Sequence, residues 1–114
     1  MHELSISAAL LEQVAAVIER HRATGVTNIT LRLGPLSGVE PALLRAAYAQ
    51  ARVGTFAANA HLIVLDAPVR VLCDDCTAEG NGTPNRLVCP ACGSANTRLL
   101  SGDEMLIEAV DLVF

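Results

Sequence analysis

Residues 73–92 read CDDCTAEGNGTPNRLVCPAC. The cysteines fall at Cys73, Cys76, Cys89 and Cys92, the pattern C-x2-C-x12-C-x2-C. Two residues between thiols allow a tight turn in which both sulfurs point at one ion. Two such knuckles complete a tetrahedron, with Zn–S distances of about 2.3 Å. In the second knuckle Pro90 fixes a turn. Gly93 is free to take positive φ while backbone N–H groups approach the sulfurs. A closed four-thiolate site has no open position for a substrate, so Zn(II) is expected here in a structural role, stapling a segment that lacks enough core of its own. Iron in a rubredoxin-like carrier is the lesser alternative. Paired redox CxxC motifs fit poorly, because neither lies at a strand-to-helix junction.

Working outward, the flanks read as a small α/β unit. Leu4 to Arg22 has Leu11, Val14 and Ile18 at helical spacing, widened by Leu10 and Val17. Ser5 or Ser7 is the expected cap, with Gly25 just past the end. Thr27 to Leu33 alternates, Ile29, Leu31 and Leu33 against Asn28, Thr30 and Arg32, which predicts a strand with one buried face. Gly34-Pro35-Leu36-Ser37-Gly38 breaks it. A second helix is expected from Pro41 to about Arg52, with Leu44 and Tyr48 on one side and Gly54 as its stop. His61 to Asp66 reads as a strand whose near-continuous apolar run predicts burial on both faces or a central position. Val69 to Leu72 leads into the first cysteine, and Thr77 to Arg86, rich in Gly, Asn and Pro, reads as turn or loop. Glu104 to Phe114 is again a strand. The expected architecture is α/β: a small sheet of about three strands packed with two helices, plus an inserted zinc-ribbon-like module. Residues 1–68 and 103–114 would form the α/β domain and 69–102 the four-Cys zinc domain.

Composition narrows the function. The 114 residues fit one domain or a domain with a small appendage. Apolar residues make up 52%, aromatics only 3%, so the core must be aliphatic. The net charge of −4, with arginine the sole strongly basic residue, argues against a nucleic-acid partner, which needs clustered positive charge. Within 70–98, Arg70, Arg86 and Arg98 balance Asp74, Asp75 and Glu79, unlike a basic nucleic-acid ribbon. No apolar run approaches the ~20 residues that span a bilayer, and no signal-peptide pattern is visible. A cytoplasmic location is expected, where disulfides are disfavoured. No Ser–His–Asp order, phosphate-binding Gly-rich loop or HExxH is present, so no catalysis is expected.

The other informative stretch is Met1-His2-Glu3. A free amine, the backbone nitrogen of His2 and its imidazole Nδ1 close a five- and a six-membered chelate ring around one ion, and the backbone nitrogen of Glu3 offers a fourth ligand. Such a square-planar set suits Ni(II) or Cu(II) better than Zn(II); the alternative is an ordinary chain terminus. The bulky second residue disfavours removal of Met1, so the chain is expected to begin there.

Met1-His2-Glu3-Leu4-Ser5, Leu33-Gly34-Pro35-Leu36-Ser37-Gly38-Val39, Cys89-Pro90-Ala91-Cys92-Gly93-Ser94 and Gly102-Asp103-Glu104-Met105-Leu106-Ile107 together resemble the HypA/HybF family of nickel metallochaperones. The resemblance covers essentially the whole chain. It implies Ni(II) as a transient cargo at Met1 and His2 with Glu3 alongside, and an acidic residue at the start of the second helix, here Glu40, whose other reading is a helix cap. It implies structural Zn(II) at the four cysteines. Implied partners are a nickel-handling GTPase and the nickel–iron hydrogenase large-subunit precursor, with the protein mostly a monomer and a dimer as variant. A zinc-ribbon docking adaptor without a second metal is the competing reading. His21 is expected to face the carbonyls ending the first helix, and His61 is read the same way. Asp103, Glu104, Glu108 and Asp111 read as a solvated strand face or a docking surface.

Overall fold

The computed structural model describes residues 3–114. The order is α1 (Glu3–Arg20), β1 (Gly25–Leu33), α2 (Pro41–Ala51), β2 (His61–Asp66), β3 (Arg70–Cys73), β4 (Glu79–Asn81), β5 (Thr97–Ser101) and β6 (Met105–Val113). The chain forms two compact units. One runs up to Arg32 and adds Val39–Leu65 and Leu106–Phe114; the other is Leu33–Gly38 with Asp66–Met105.

In the first unit α1 packs against α2. The side of α1 that is buried is Ile6, Ser7, Leu10, Leu11 and Val14. The expected stripe therefore lies nearer the N-terminus, and Val17 and Ile18 are only half-buried. Because α1 already begins at Glu3, Ser5 and Ser7 lie inside it and neither caps it. Its C-terminal end is closed by Arg22, not by Gly25. Arg22 takes φ 55°, its N–H bonds Glu19 O at 3.2 Å, and Ala23 N–H bonds Ile18 O at 3.0 Å. That is the paired-bond C-cap usually built around glycine.

α2 follows the sequence closely. Pro41 opens it, Glu40 is its N-cap, and Leu44 and Tyr48 are buried; Gly54, after the end, takes φ 72°. β1 buries Ile29, Leu31 and Leu33 as its alternation requires. The sheet order is β2-β1-β6. Thr24 N–H bonds Val113 O at one end and Gly34 N–H bonds Glu104 O at the other, so β1 and β6 run antiparallel. Ala67 N–H bonds Leu33 O, which brings the C-terminal ends of β1 and β2 together and makes that pair parallel. β2 is thus an edge strand. Only Leu62 is buried, and Ile63 and Leu65 are about two-fifths exposed, at 40% and 43%. The expectation of a central or doubly buried strand fails because a continuous apolar run does not reveal how many faces receive a partner.

The second unit carries a sheet of its own, ordered β4-β3-β5. β3 pairs antiparallel with both neighbours, Val71 opposite Gly80 on one side and Cys73 opposite Thr97 on the other. The stretch read as turn or loop, 77–86, therefore contains a strand, Glu79–Asn81. It is three residues long and carries no alternation, so only pairing with β3 defines it. The buried apolar side chains of this unit are few: Leu33, Ala67, Val69, Val71 and two of the cysteines. So small a core needs a further staple to hold its shape.

Candidate metal centre

The four cysteines meet in the second unit. Their sulfurs all lie within 4.8 Å of one another, with Cys73 and Cys89 buried and Cys76 and Cys92 exposed. None is in a disulfide. Cys73 Sγ is 3.6 Å from Cys92 Sγ, and Cys76 Sγ is 3.5 Å from Cys89 Sγ. A regular tetrahedron with metal–sulfur bonds of about 2.3 Å has edges of ~3.8 Å, so the cluster fits a closed tetrathiolate ion. Among the described residues no other three His, Cys, Asp or Glu side chains converge in this way.

Both knuckles are built by one backbone plan. Cys73 N–H bonds Ala78 O at 2.9 Å and Thr77 N–H bonds Cys73 O at 3.0 Å; Cys89 N–H bonds Ser94 O at 2.8 Å and Gly93 N–H bonds Cys89 O at 2.8 Å. Each turn aims amides at sulfur: Cys76 N–H at Cys73 Sγ, and Ala91 and Cys92 N–H at Cys89 Sγ, all at 3.4 Å. These amides stabilise thiolates. The N–H of Cys92, with that of Ala91 and the neighbouring thiols, outweighs desolvation and holds Cys89 down to about 6. Cys92 is pushed up to about 12: the Ser94 amide lowers it, but the three neighbouring thiols together and desolvation outweigh that bond. Cys76 is raised by the same kind of competition, the Ala78 amide against the Cys89 and Cys73 thiols and desolvation.

Side chains brace the two knuckles against each other. Ser94 Oγ donates to Asp75 Oδ2 and accepts from Asn96 N–H, and Asn96 Nδ2 donates to Asp75 Oδ1 at 3.4 Å. Asp74 N–H bonds Asn96 O at 2.8 Å, and its carboxylate takes Arg98 Nε at 2.8 Å. In the sequence these acidic residues count only as charge. The Cys-Asp-Asp-Cys repeat of short acceptors inside a knuckle was the available signal, since Asp readily accepts bonds from nearby donors in turns.

The terminal candidates divide. Met1 and His2 lie outside the described residues. Glu3 opens α1, half-buried. Glu40 caps α2 by accepting from Ala42 N–H at 3.4 Å, a long bond. His21, just past α1, and His61, at the start of β2, are both exposed and neither joins the cysteines. Glu108 meets Arg32 at 3.6 Å, and Asp111 accepts from Asn28 Nδ2 at 3.1 Å. No helix among the described residues is long and apolar enough to cross a membrane.

A family model described as "HypA: Hydrogenase/urease nickel incorporation, metallochaperone, hypA" matches residues 1–112. The hydrogenase maturation factor HypA of Shewanella oneidensis is 39% identical over 112 residues, covering 98% of this chain and 95% of its own. That of Nitrosospira multiformis is 41% identical, covering 99% and 98%. The solution structure of the Ni metallochaperone HypA from Helicobacter pylori shares the fold, with TM-score 0.69 at 24% identity over 99% of this chain and 98% of that one. A second solution structure of a HypA protein gives TM-score 0.74 at 25% identity over 99% and 97%. With its knuckle geometry, its α/β fold and a full-length match to these relatives, the chain belongs to the HypA family of nickel metallochaperones for hydrogenase maturation.

Proposed function

We propose that this protein carries Ni(II) as cargo on its N-terminus and hands it to the large-subunit precursor of a nickel–iron hydrogenase, without catalysing a reaction itself. The observation that carries this reading is the full-length family match of a chain that begins Met1-His2-Glu3. The amine of Met1, the backbone nitrogen and Nδ1 of His2, and either Glu3 or a neighbouring amide would complete the nickel set. Glu40 is an added candidate, because its weak 3.4 Å cap is lost at small cost when a cation competes for the carboxylate. Residues 1–68 and 103–114 would serve as the nickel domain and 69–102 as the zinc domain, with Zn(II) held by Cys73, Cys76, Cys89 and Cys92. Zinc suits the closed sulfur cluster and a role without redox chemistry. A nickel-handling GTPase would be a separate partner in the cytoplasm, and the working form would be a monomer.

The chemistry accounts for cargo and scaffold being different metals. Amine, amide and imidazole must all shed protons to bind, so terminal nickel is released on acidification. A surface site exchanges ligands with a recipient, whereas four thiolates braced by amides retain their ion. The test is a Ni(II) titration of zinc-loaded protein with an untagged native terminus, beside His2→Ala and a variant with one residue added before Met1. The proposal expects a single Ni(II) per native chain and its loss in both variants. Equal binding by all three would move the cargo site elsewhere; no binding by any would favour a docking adaptor.

A further inference from the structure

We propose that the concavity between α2 and β2 in the first unit is a binding site for a phosphate-type oxyanion. It is a cavity of about 240 Å³ lined by Arg45, Tyr48, Ala49, Arg52, His61 and Leu62. That is smaller than the roughly 300–1,000 Å³ of sites for drug-sized ligands and suits a compact anionic group. In a chain of net charge −4 it gathers two arginines and a histidine. Arg45 lies in α2 and Arg52 is its C-cap, still in helical backbone conformation; seven residues apart, about two helical turns, they project on the side that carries Tyr48.

Both guanidinium groups are already oriented. Arg45 Nη1 donates to Leu62 O at 3.1 Å and Arg52 Nη1 donates to Ala60 O at 2.9 Å. The two carbonyls belong to residues two apart in sequence, at most about 7 Å of chain, so both guanidinium groups are tethered to one short stretch of backbone beside the cavity that both line. One such bond uses one of the five N–H donors of each arginine and leaves four for a ligand. Arg52 also lies over the Tyr48 ring, 5.8 Å from its centroid. The Tyr48 hydroxyl donates to Ala60 O at 2.8 Å, so the phenol is a prop and not a ligand. Among the described residues the ion pairs are Arg32 with Glu108 and Arg98 with Asp74; neither arginine of the cavity has a carboxylate partner.

A lone carboxylate satisfies one fork. A tetrahedral oxyanion presents oxygens to two forks at once and carries the charge to match both, the geometry for which arginine is preferred over lysine. Arg52 already covers the Tyr48 ring, so recognition would rest on the phosphoryl group and not on stacking of a base against Tyr48.

The test is a titration of zinc-loaded, full-length protein with inorganic phosphate at constant ionic strength, followed by ¹H–¹⁵N spectra that include the arginine Nε–Hε signals. A parallel arm uses a nucleoside diphosphate. Saturable shifts at Arg45, Arg52 and His61 are expected. Arg45→Gln and Arg52→Gln should each weaken binding by about tenfold or more, as loss of a hydrogen bond to a charged group does. Arg20→Gln, the same charge change at the end of α1, should leave it unaltered. If Arg52→Gln disturbs the fold by losing its Ala60 bond, Arg45→Lys carries the test: it keeps the charge, removes the fork and should still weaken binding. Equal affinity in the two arms assigns the ligand as free phosphate, and tighter binding of the diphosphate assigns it as a nucleotide's phosphoryl end. Shifts that do not saturate, or an Arg20→Gln loss matching that of Arg45→Gln, would overturn the proposal.

Discussion

Thr77 occupies in the first knuckle the place that Gly93 occupies in the second. Each follows the second cysteine of its pair, each donates its N–H to the carbonyl of the first, and both take left-handed backbone angles, φ 62° and 79°. Only one of them is a glycine. A β-branched residue in this region is an outlier for its type, held here by the bonds around it, including Thr77 Oγ1 to Cys76 O at 2.6 Å.

Exchanging the two residue types should therefore move metal retention in opposite directions. Thr77→Gly is expected to stabilise the loaded module by about 0.5–1 kcal/mol. Gly93→Ala is expected to cost about 1–2 kcal/mol, although a Cβ there meets nothing within 4 Å; the cost is conformational and not steric. Competition against a chromophoric chelator reads both. The same sign for the two variants would mean that φ at this position does not limit the knuckle.

Metal loading should release fewer than four protons per chain at pH 7. Cys89, held down to about 6, is already mostly thiolate there, whereas Cys92, pushed up to about 12, arrives protonated. The sign for the metal-free fold follows. A depressed thiol contributes stability that is fully present above its unfolded value near 9 and is lost as pH falls through about 6. A raised one, Cys92, contributes below that value and is lost as pH rises through about 12. Calorimetry of zinc binding in buffers of different ionisation enthalpy counts the protons, and a count of four would contradict the assignment for Cys89.

Gly34→Ala should destabilise the protein by about 2–4 kcal/mol, from overpacking and lost backbone bonds. A Cβ at Gly34 would come 2.1 Å from Gly102 O and 2.9 Å from Asp103 N, both backbone atoms. Making room means parting Gly34 N–H from Glu104 O and Leu36 N–H from Gly102 O. Denaturant midpoints compared with wild type decide it. A loss under about 0.5 kcal/mol, the range of neutral surface changes, would show that the two strands separate freely.

Arg22→Gly should stabilise by roughly 0.5–1 kcal/mol, because the left-handed C-cap of α1 penalises a residue with a Cβ. The gain is smaller than the full penalty, since glycine also enlarges the unfolded ensemble. Thermal unfolding of the two proteins side by side measures it. A lower midpoint for the glycine variant would mean that the Arg22 side chain contributes more than its backbone strain costs.

What the chain determined by itself was whatever is encoded within a few residues. Cys73, Cys76, Cys89 and Cys92 announce a tetrathiolate site because the spacing within each pair sets where its two sulfurs can point. Ile29, Leu31 and Leu33 announce a half-buried strand, and Pro41, Leu44 and Tyr48 a helix with one core face, because backbone periodicity carries each side chain to a known side. The tertiary structure alone decided what depends on distant partners. Glu79–Asn81 is a strand only because β3 lies beside it. Ile63 and Leu65 are exposed only because β2 ends the sheet. Arg45, Arg52 and His61 share one cavity because α2 and β2, separate in sequence, are packed together, and long-range contact is the quantity that local pattern cannot carry.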